Sequence, residues 1–259
     1  MSSGSAGVIV KSNLLVIAFA ALMASLPAAA EAGQTHVAVA ANFTEPAKEI
    51  AALFKEKTGH EAILIFGASG AFLTQITHEA PFEVFLSADA ERPKAAIDGG
   101  YAVPGSDFTY AIGKLVLWSK VVDVTKGDEA IKAGAFAKIS IANPNAAPYG
   151  AAAIETMKAL GVYDVLKTKI VQGNSIAQAF QFVLTKNAEV GFVALSQLYG
   201  VTDGTRWLVP PQLHAPIRQD AVLLKRGQKD EASIAFLAFL KGPEARAVIE
   251  RFGYGLEGA

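Results

Sequence analysis

Phe66-Gly67-Ala68-Ser69-Gly70-Ala71-Phe72 follows the apolar run Ala62 to Ile65 and leads into Leu73-Thr74-Gln75-Ile76. The run reads as a buried strand, and Leu73 to Ile76 reads as part of a helix. Gly67 and Gly70 keep the junction free of side chains, and Ser69 stands where an N-cap belongs. A helix start made of small residues presents unpaired backbone N–H groups. With the helix dipole, these favour an anion. A serine before a helix is also an ordinary cap, so the junction gains weight only through repetition.

Outward from this junction, the chain alternates strand and helix. His36 to Ala41 reads as the first strand. Ala47, Ile50, Ala51 and Phe54 then fall at i, i+3, i+4 and i+7 of a helix that ends at Thr58-Gly59. Phe82 to Leu86 is a third strand, followed by Ser87-Ala88-Asp89 and a helix through Ala95 to Ile97. This order implies a parallel sheet with helices on both faces. Phe108 to Lys120 breaks the rhythm. Leu115-Val116-Leu117-Trp118, entered through Gly113, reads as a crossing into a second domain.

The alternation resumes there, with strands at Lys138–Ala142, Thr168–Val171 and Glu189–Ala194 and a helix phased by Ile176, Phe180 and Val183. Ile217 to Lys225 is extended and crosses back, and two helices split at Gly242-Pro243 close the chain. The expected fold class is therefore α/β, with two Rossmann-like lobes built on mixed, mostly parallel sheets. Lobe I takes 33–112 and 222–259, and lobe II takes 113–221.

The anion-type junction recurs. Ala41-Asn42-Phe43, Ala68-Ser69-Gly70, Pro148-Tyr149-Gly150 and Gly173-Asn174-Ser175-Ile176 all lie where a strand hands over to a helix. Two lie in each half, and none carries Lys or Arg. Ligands of open α/β sheets sit beyond the carboxyl ends of the strands. Two such domains facing each other aim four sets of N–H donors into one cleft, each helix end bearing about half a positive charge. A dianion can be held there by neutral donors alone. Asp89 is expected to fix a loop or helix start rather than to touch an anion.

Composition agrees with an exported globular protein. The 259 residues are 52% apolar and 18% charged, with a formal net charge of -1, which points away from a nucleic-acid partner. Lys11, an apolar run from Leu14 to Leu26, Pro27 and Ala30-Glu31-Ala32 form a signal peptide over 1–32, cut near Ala32. The expected location is the periplasm. The chain has no cysteine, which excludes disulfides, thiol nucleophiles and lipidation after the leader. His36, His60, His78 and His214 show no metal-ligand spacing.

The junctions, taken with other stretches, resemble the periplasmic molybdate-binding proteins that feed an ABC transporter. The similar stretches include Ala40-Ala41-Asn42-Phe43, Phe66 to Gly70, Ala80-Pro81-Phe82 to Asp89, Asn143-Pro144 to Pro148-Tyr149-Gly150, Gly191-Phe192-Val193-Ala194 and Lys241-Gly242-Pro243-Glu244-Ala245. They span nearly all of the mature chain in family order. The resemblance implies a type II periplasmic-binding fold that captures molybdate, and tungstate, between its lobes. It implies delivery to a membrane permease. The chain is expected to be a monomer with no cofactor and no catalysis.

By the same resemblance the ligand-binding residues are Ala41, Asn42, Ser69, Tyr149 and Ile176, with Ile176 acting through its backbone N–H. They hold the oxyanion through its oxygens, with no direct metal ligand. One departure stands out. Many members place a tyrosine hydroxyl where this chain has Ala194, and others carry tyrosine where Tyr149 stands. The Tyr149 hydroxyl is therefore expected to replace that donor. Two other readings compete: a receptor for sulfate or phosphate, and a serine hydrolase using Ser69. The second lacks the G-x-S-x-G spacing of a nucleophile elbow. No G-x-x-x-x-G-K-[ST] loop is present, so ATP hydrolysis falls to a partner.

Overall fold

Val37, Ala38 and Val39 have no exposed surface, because the first strand, β1 (Gln34–Ala40), runs through the middle of a sheet covered on both faces. The computed structural model describes residues 32–258. The expected leader lies outside the described residues, apart from Ala32. Parallel to β1 on either side run β2 (Glu61–Gly67) and β3 (Val84–Leu86). The return strand β10 (Ile217–Leu223) then pairs antiparallel with β3 and with β4 (Phe108–Gly113). The order is β2-β1-β3-β10-β4.

The second sheet has the order β7-β6-β8-β5-β9. Its parallel part comprises β6 (Ile139–Ala142), β7 (Ile170–Gly173) and β8 (Val190–Ala194). β5 (Leu115–Ser119) runs antiparallel to β8 and to the edge strand β9 (Thr205–Leu208). In each sheet four of the five strands thus point one way and one, β10 or β5, points back. The fold is the expected two-lobed α/β arrangement with mixed sheets.

Helices cover both faces of each sheet. On the first, α1 (Thr44–Thr58), α8 (Glu231–Leu240) and α9 (Pro243–Arg251) bring Ile50, Phe54, Phe236 and Ile249 into one apolar cluster. Ile50 and Phe54 are one helical turn apart, as the phasing predicts. The opposite face carries α2 (Ser69–Thr77) and α3 (Glu91–Asp98), with Phe72, Ile76 and Ala96 against Phe85 and Val222. In the second lobe α4 (Asp128–Ala133), α5 (Pro148–Ala159) and α6 (Tyr163–Leu166) place Ile131, Met157 and Leu166 against Leu117, Ile139 and Phe192. The other face packs α7 (Ile176–Leu184) on Val116, Trp118 and Val193. Phe180 stacks on Trp118 with ring centroids 5.2 Å apart.

The chain passes between the lobes at Lys114, between β4 and β5, and again over residues 209–216, between β9 and β10. All of β10 lies in the first sheet, with Ile217 opposite Gly113. The second lobe therefore ends before Ile217 rather than at Ala221. The residues Ile217 to Asp220 hydrogen-bond to β4 and so belong with the first sheet. No described helix is long and apolar enough to cross a membrane.

Candidate functional site

The carboxyl ends of β1, β2, β3, β6 and β7 point toward the interface of the two lobes, as strand ends do at ligand clefts of α/β sheets. One small cavity, about 10 Å³ in volume, lies there. Ala41, Asn42, Ser69, Tyr149 and Ile176 all line it, alongside Gly67, Ala68, Ala88, Ala147 and Pro148. The five residues singled out from the sequence are thus brought to one place, across 135 positions from Ala41 to Ile176. No lysine, arginine, histidine or carboxylate is among the lining residues. Among the described residues no cluster of His, Cys, Asp and Glu is suited to a metal ion.

Each lining element enters the cavity as a helix begins. Asn42 is the second residue of the short 3-10 turn Ala41–Phe43 that runs directly into α1. Ser69 opens α2, Tyr149 is second in α5 behind Pro148, and Ile176 opens α7. First-turn N–H groups have no acceptor within their own helix, so each junction keeps donors to offer. The helix dipoles add positive potential without any side-chain charge.

Ser69 is not the cap its position suggested. Ala68 takes the N-cap position, and the Ser69 hydroxyl accepts the N–H of Ala88 at 2.9 Å. This leaves the hydroxyl's own proton free to donate. At α7, Ser175 is the cap, accepting from the Gln178 N–H at 3.4 Å. Gln197 ties this helix start to β8. Its side-chain oxygen accepts from the Ala194 N–H at 2.9 Å, and its amide nitrogen donates to the Ile176 carbonyl at 3.1 Å. Asp89 does the expected local work: it accepts from the Ser87 hydroxyl and the Arg92 N–H and pairs with the Arg92 guanidinium.

Behind the cavity lies a buried polar network that the sequence did not reveal. Asn42 donates its side-chain amide to Gln219 Oε1 at 2.8 Å and to Tyr254 Oη at 3.0 Å. Gln219 Oε1 also accepts from the Tyr110 hydroxyl at 3.1 Å, and Gln219 Nε2 donates to the Tyr149 hydroxyl at 3.2 Å. Gln219 has no exposed surface, and no buried side-chain polar atom among the described residues lacks a partner. Burial pushes the Tyr110, Tyr149 and Tyr254 hydroxyls above the usual phenol range, so they stay protonated. A signal was present in Gln219-Asp220, polar residues that, with Arg218, interrupt the apolar residues of β10.

This network engages two of the expected site residues. Both protons of the Asn42 side-chain amide are engaged within this network. The Tyr149 hydroxyl, expected to face an anion, lies against the first crossing and accepts from Gln219, which leaves its own proton free to donate. A methyl group at Gly113 would come within 2.2 Å of the Tyr149 hydroxyl, so only glycine permits this contact. Ala194, at the end of β8, is fully buried.

The cleft is closed over the cavity. The Gly70 N–H donates to the Ala146 carbonyl at 2.9 Å, joining the start of α2 to the loop before α5. Arg92 donates to the Asn145 carbonyl at 2.9 Å. The Ser196 hydroxyl donates to the Asn42 carbonyl at 2.8 Å from the other lobe.

Known proteins resemble this chain over nearly its whole length. Residues 35–255 match the bacterial extracellular solute-binding protein family. The molybdate-binding protein ModA of Rhodobacter capsulatus is 58% identical over 239 residues, covering 92% of this chain and 94% of that protein. The ModA protein of Azotobacter vinelandii is 51% identical over 250 residues, covering 95% and 98%. Among solved structures, an Azotobacter vinelandii periplasmic molybdate-binding protein superposes with a TM-score of 0.82 at 37% identity, covering 86% of this chain and 99% of that one.

Proposed function

The chain belongs to the family of bacterial extracellular solute-binding proteins, and on that premise we propose that it captures molybdate in the interlobe cavity and hands it to an ABC transporter. It is a receptor, not an enzyme. The observation that carries the reading is the meeting of four uncharged helix starts on one cavity. A tetrahedral dianion placed there receives backbone N–H groups from Asn42, Ser69, Tyr149 and Ile176 and the Ser69 hydroxyl. Ala41 opens the first of these helix starts. Tyr149 acts through its N–H, and its hydroxyl accepts from Gln219. Tungstate, of the same shape and charge, occupies the same site. The protein works as a monomer in the periplasm, and its partner is the transporter's membrane permease.

A sulfate or phosphate receptor would use the same donors, and size separates the readings: a smaller tetrahedron reaches fewer donors at once. A hydrolase reading has less support. Ser69 has no histidine beside it in the cavity, and an activated serine needs a base.

Thermal unfolding of the purified protein tests the reading, because a ligand bound only by the folded state raises its melting temperature. Molybdate and tungstate at micromolar concentration are expected to raise it, and sulfate and phosphate to leave it nearly unchanged. Equal stabilisation by sulfate would replace the ligand and keep the receptor. No response to any of the four would remove the assignment.

The site also predicts a flat pH profile. No acid, base or histidine lines the cavity, and the phenols behind it are held protonated by burial. Molybdate affinity measured by calorimetry should therefore change less than about threefold between about pH 6 and about pH 9. A titration midpoint inside that window would place an ionising group in the site.

A further inference from the structure

After α9 the chain does not simply end at the surface. Gly255 pairs with Ile112 through two backbone hydrogen bonds of 2.8 and 2.9 Å, one residue before Gly113 and the first crossing. Phe252 packs on Tyr199 of the second lobe, with ring centroids 4.3 Å apart. Between them Tyr254 turns inward, its ring edge-on to Phe43 and 95% of its surface covered. Its hydroxyl, the Ser196 hydroxyl and the Asn42 carbonyl oxygen form a triangle with sides of 2.8, 2.8 and 2.9 Å. The Ser196 hydroxyl, from the other lobe, donates to the carbonyl, and the single Tyr254 proton is shared between that carbonyl and the Ser196 oxygen.

We propose that Tyr254 is a positioning residue of the anion site, holding Asn42 in place and joining it to Ser196 so that the four helix starts stay together when the lobes close. This rests on the reading of the cavity as a molybdate site. Three features support it. Tyr254 Oη accepts one Asn42 amide proton and donates toward the carbonyl of the same residue, so it fixes the orientation of the first helix start. The Ser196 hydroxyl belongs to the turn Leu195–Leu198 directly after β8, in the other lobe. The segment that carries Tyr254 is anchored beside the crossing, so it stays with the first lobe as the lobes separate.

The bonds to Ser196 exist only in the closed arrangement. They therefore oppose opening and have little influence on encounter with the ligand. Tyr254→Phe removes the hydroxyl and keeps the ring. Stopped-flow measurement is expected to give a molybdate dissociation rate raised about tenfold, with the association rate within about twofold of wild type. Ser196→Ala should act in the same direction. The double variant should lose no more than about threefold beyond the worse single one, because both hydroxyls serve the same carbonyl.

A purely structural tyrosine would lower the melting temperature of the ligand-free protein and leave the dissociation rate alone; that result overturns the inference. Fully additive effects of the two substitutions also overturn it. The melting temperature of the wild type with molybdate separates the two levels. If molybdate does not stabilise the wild type, the site reading falls and this inference falls with it. If it does, while Tyr254→Phe dissociates at the wild-type rate, the inference alone is lost.

Discussion

Ser69→Asp is expected to abolish molybdate binding while leaving the protein folded. Ser69 is 1% exposed and opens α2, where its hydroxyl already accepts the Ala88 N–H. A carboxylate at the first position of a helix is favoured by the dipole, and the same N–H donors that would hold an anion can hold it. The ligand, however, would meet a negative charge with no cation among the lining residues to offset it. Two unit charges about 4 Å apart repel by about 4 kcal/mol at an effective dielectric constant near 20, which is about a thousandfold in affinity. A dianion loses more.

Calorimetry should find no molybdate binding, and circular dichroism should find an unchanged fold. The introduced carboxylate, held by N–H groups, has its pKa lowered on folding. Its contribution to stability is then present at neutral pH and lost as the pH falls through the folded-state value. Molybdate binding that survives Ser69→Asp would mean that the ligand sits elsewhere.

Gly150→Ala is expected to damage both fold and site. A methyl group at position 150 would lie 2.2 Å from the Ala142 carbonyl oxygen and 2.8 Å from its carbon. Those atoms belong to the backbone of β6 and cannot swing aside as a side chain would. The start of α5 must lift from the strand, and Tyr149, whose N–H is one of the proposed donors, lifts with it. Overpacking of this kind costs about 3 kcal/mol, and for a domain of this size that lowers the melting temperature by about 6–12 °C. The additional stabilisation by molybdate should shrink as well. A melting temperature within about 1 °C of wild type would show that α5 is not packed as described.

Much of the fold could be read from local pattern. Val37 to Ala40 read as a buried strand because every residue is apolar and the run is short. α1 was legible because Ala47, Ile50 and Phe54 repeat at helical spacing and are fully buried. β9 was not legible: Thr205–Leu208 is a short edge strand whose half-exposed residues carry little apolar signal. The helix starts could be found because small residues at a strand–helix junction are a local feature.

What those starts do with their side chains was not local. Asn42 meets Gln219 and Tyr254 across 177 and 212 positions, and Ser196 meets Asn42 across 154. No spacing rule reports such contacts. For that reason the Asn42 amide looked available when both of its protons are already engaged, and the bond from Gln219 to the Tyr149 hydroxyl went unread.

The two sheets follow the same order once the strands of each lobe are counted from its own central strand. The helix starts after β1 and β2 in one lobe therefore correspond to those after β6 and β7 in the other. In terms of topology, each lobe brings an equivalent pair of helix starts to the cavity. A tetrahedron has two-fold axes through the midpoints of opposite edges, so each lobe can grip one edge. A planar, three-fold oxyanion such as nitrate has its two-fold axes only within its own plane. It cannot give each half an edge of its own. The architecture thus favours tetrahedral anions before any particular donor is considered.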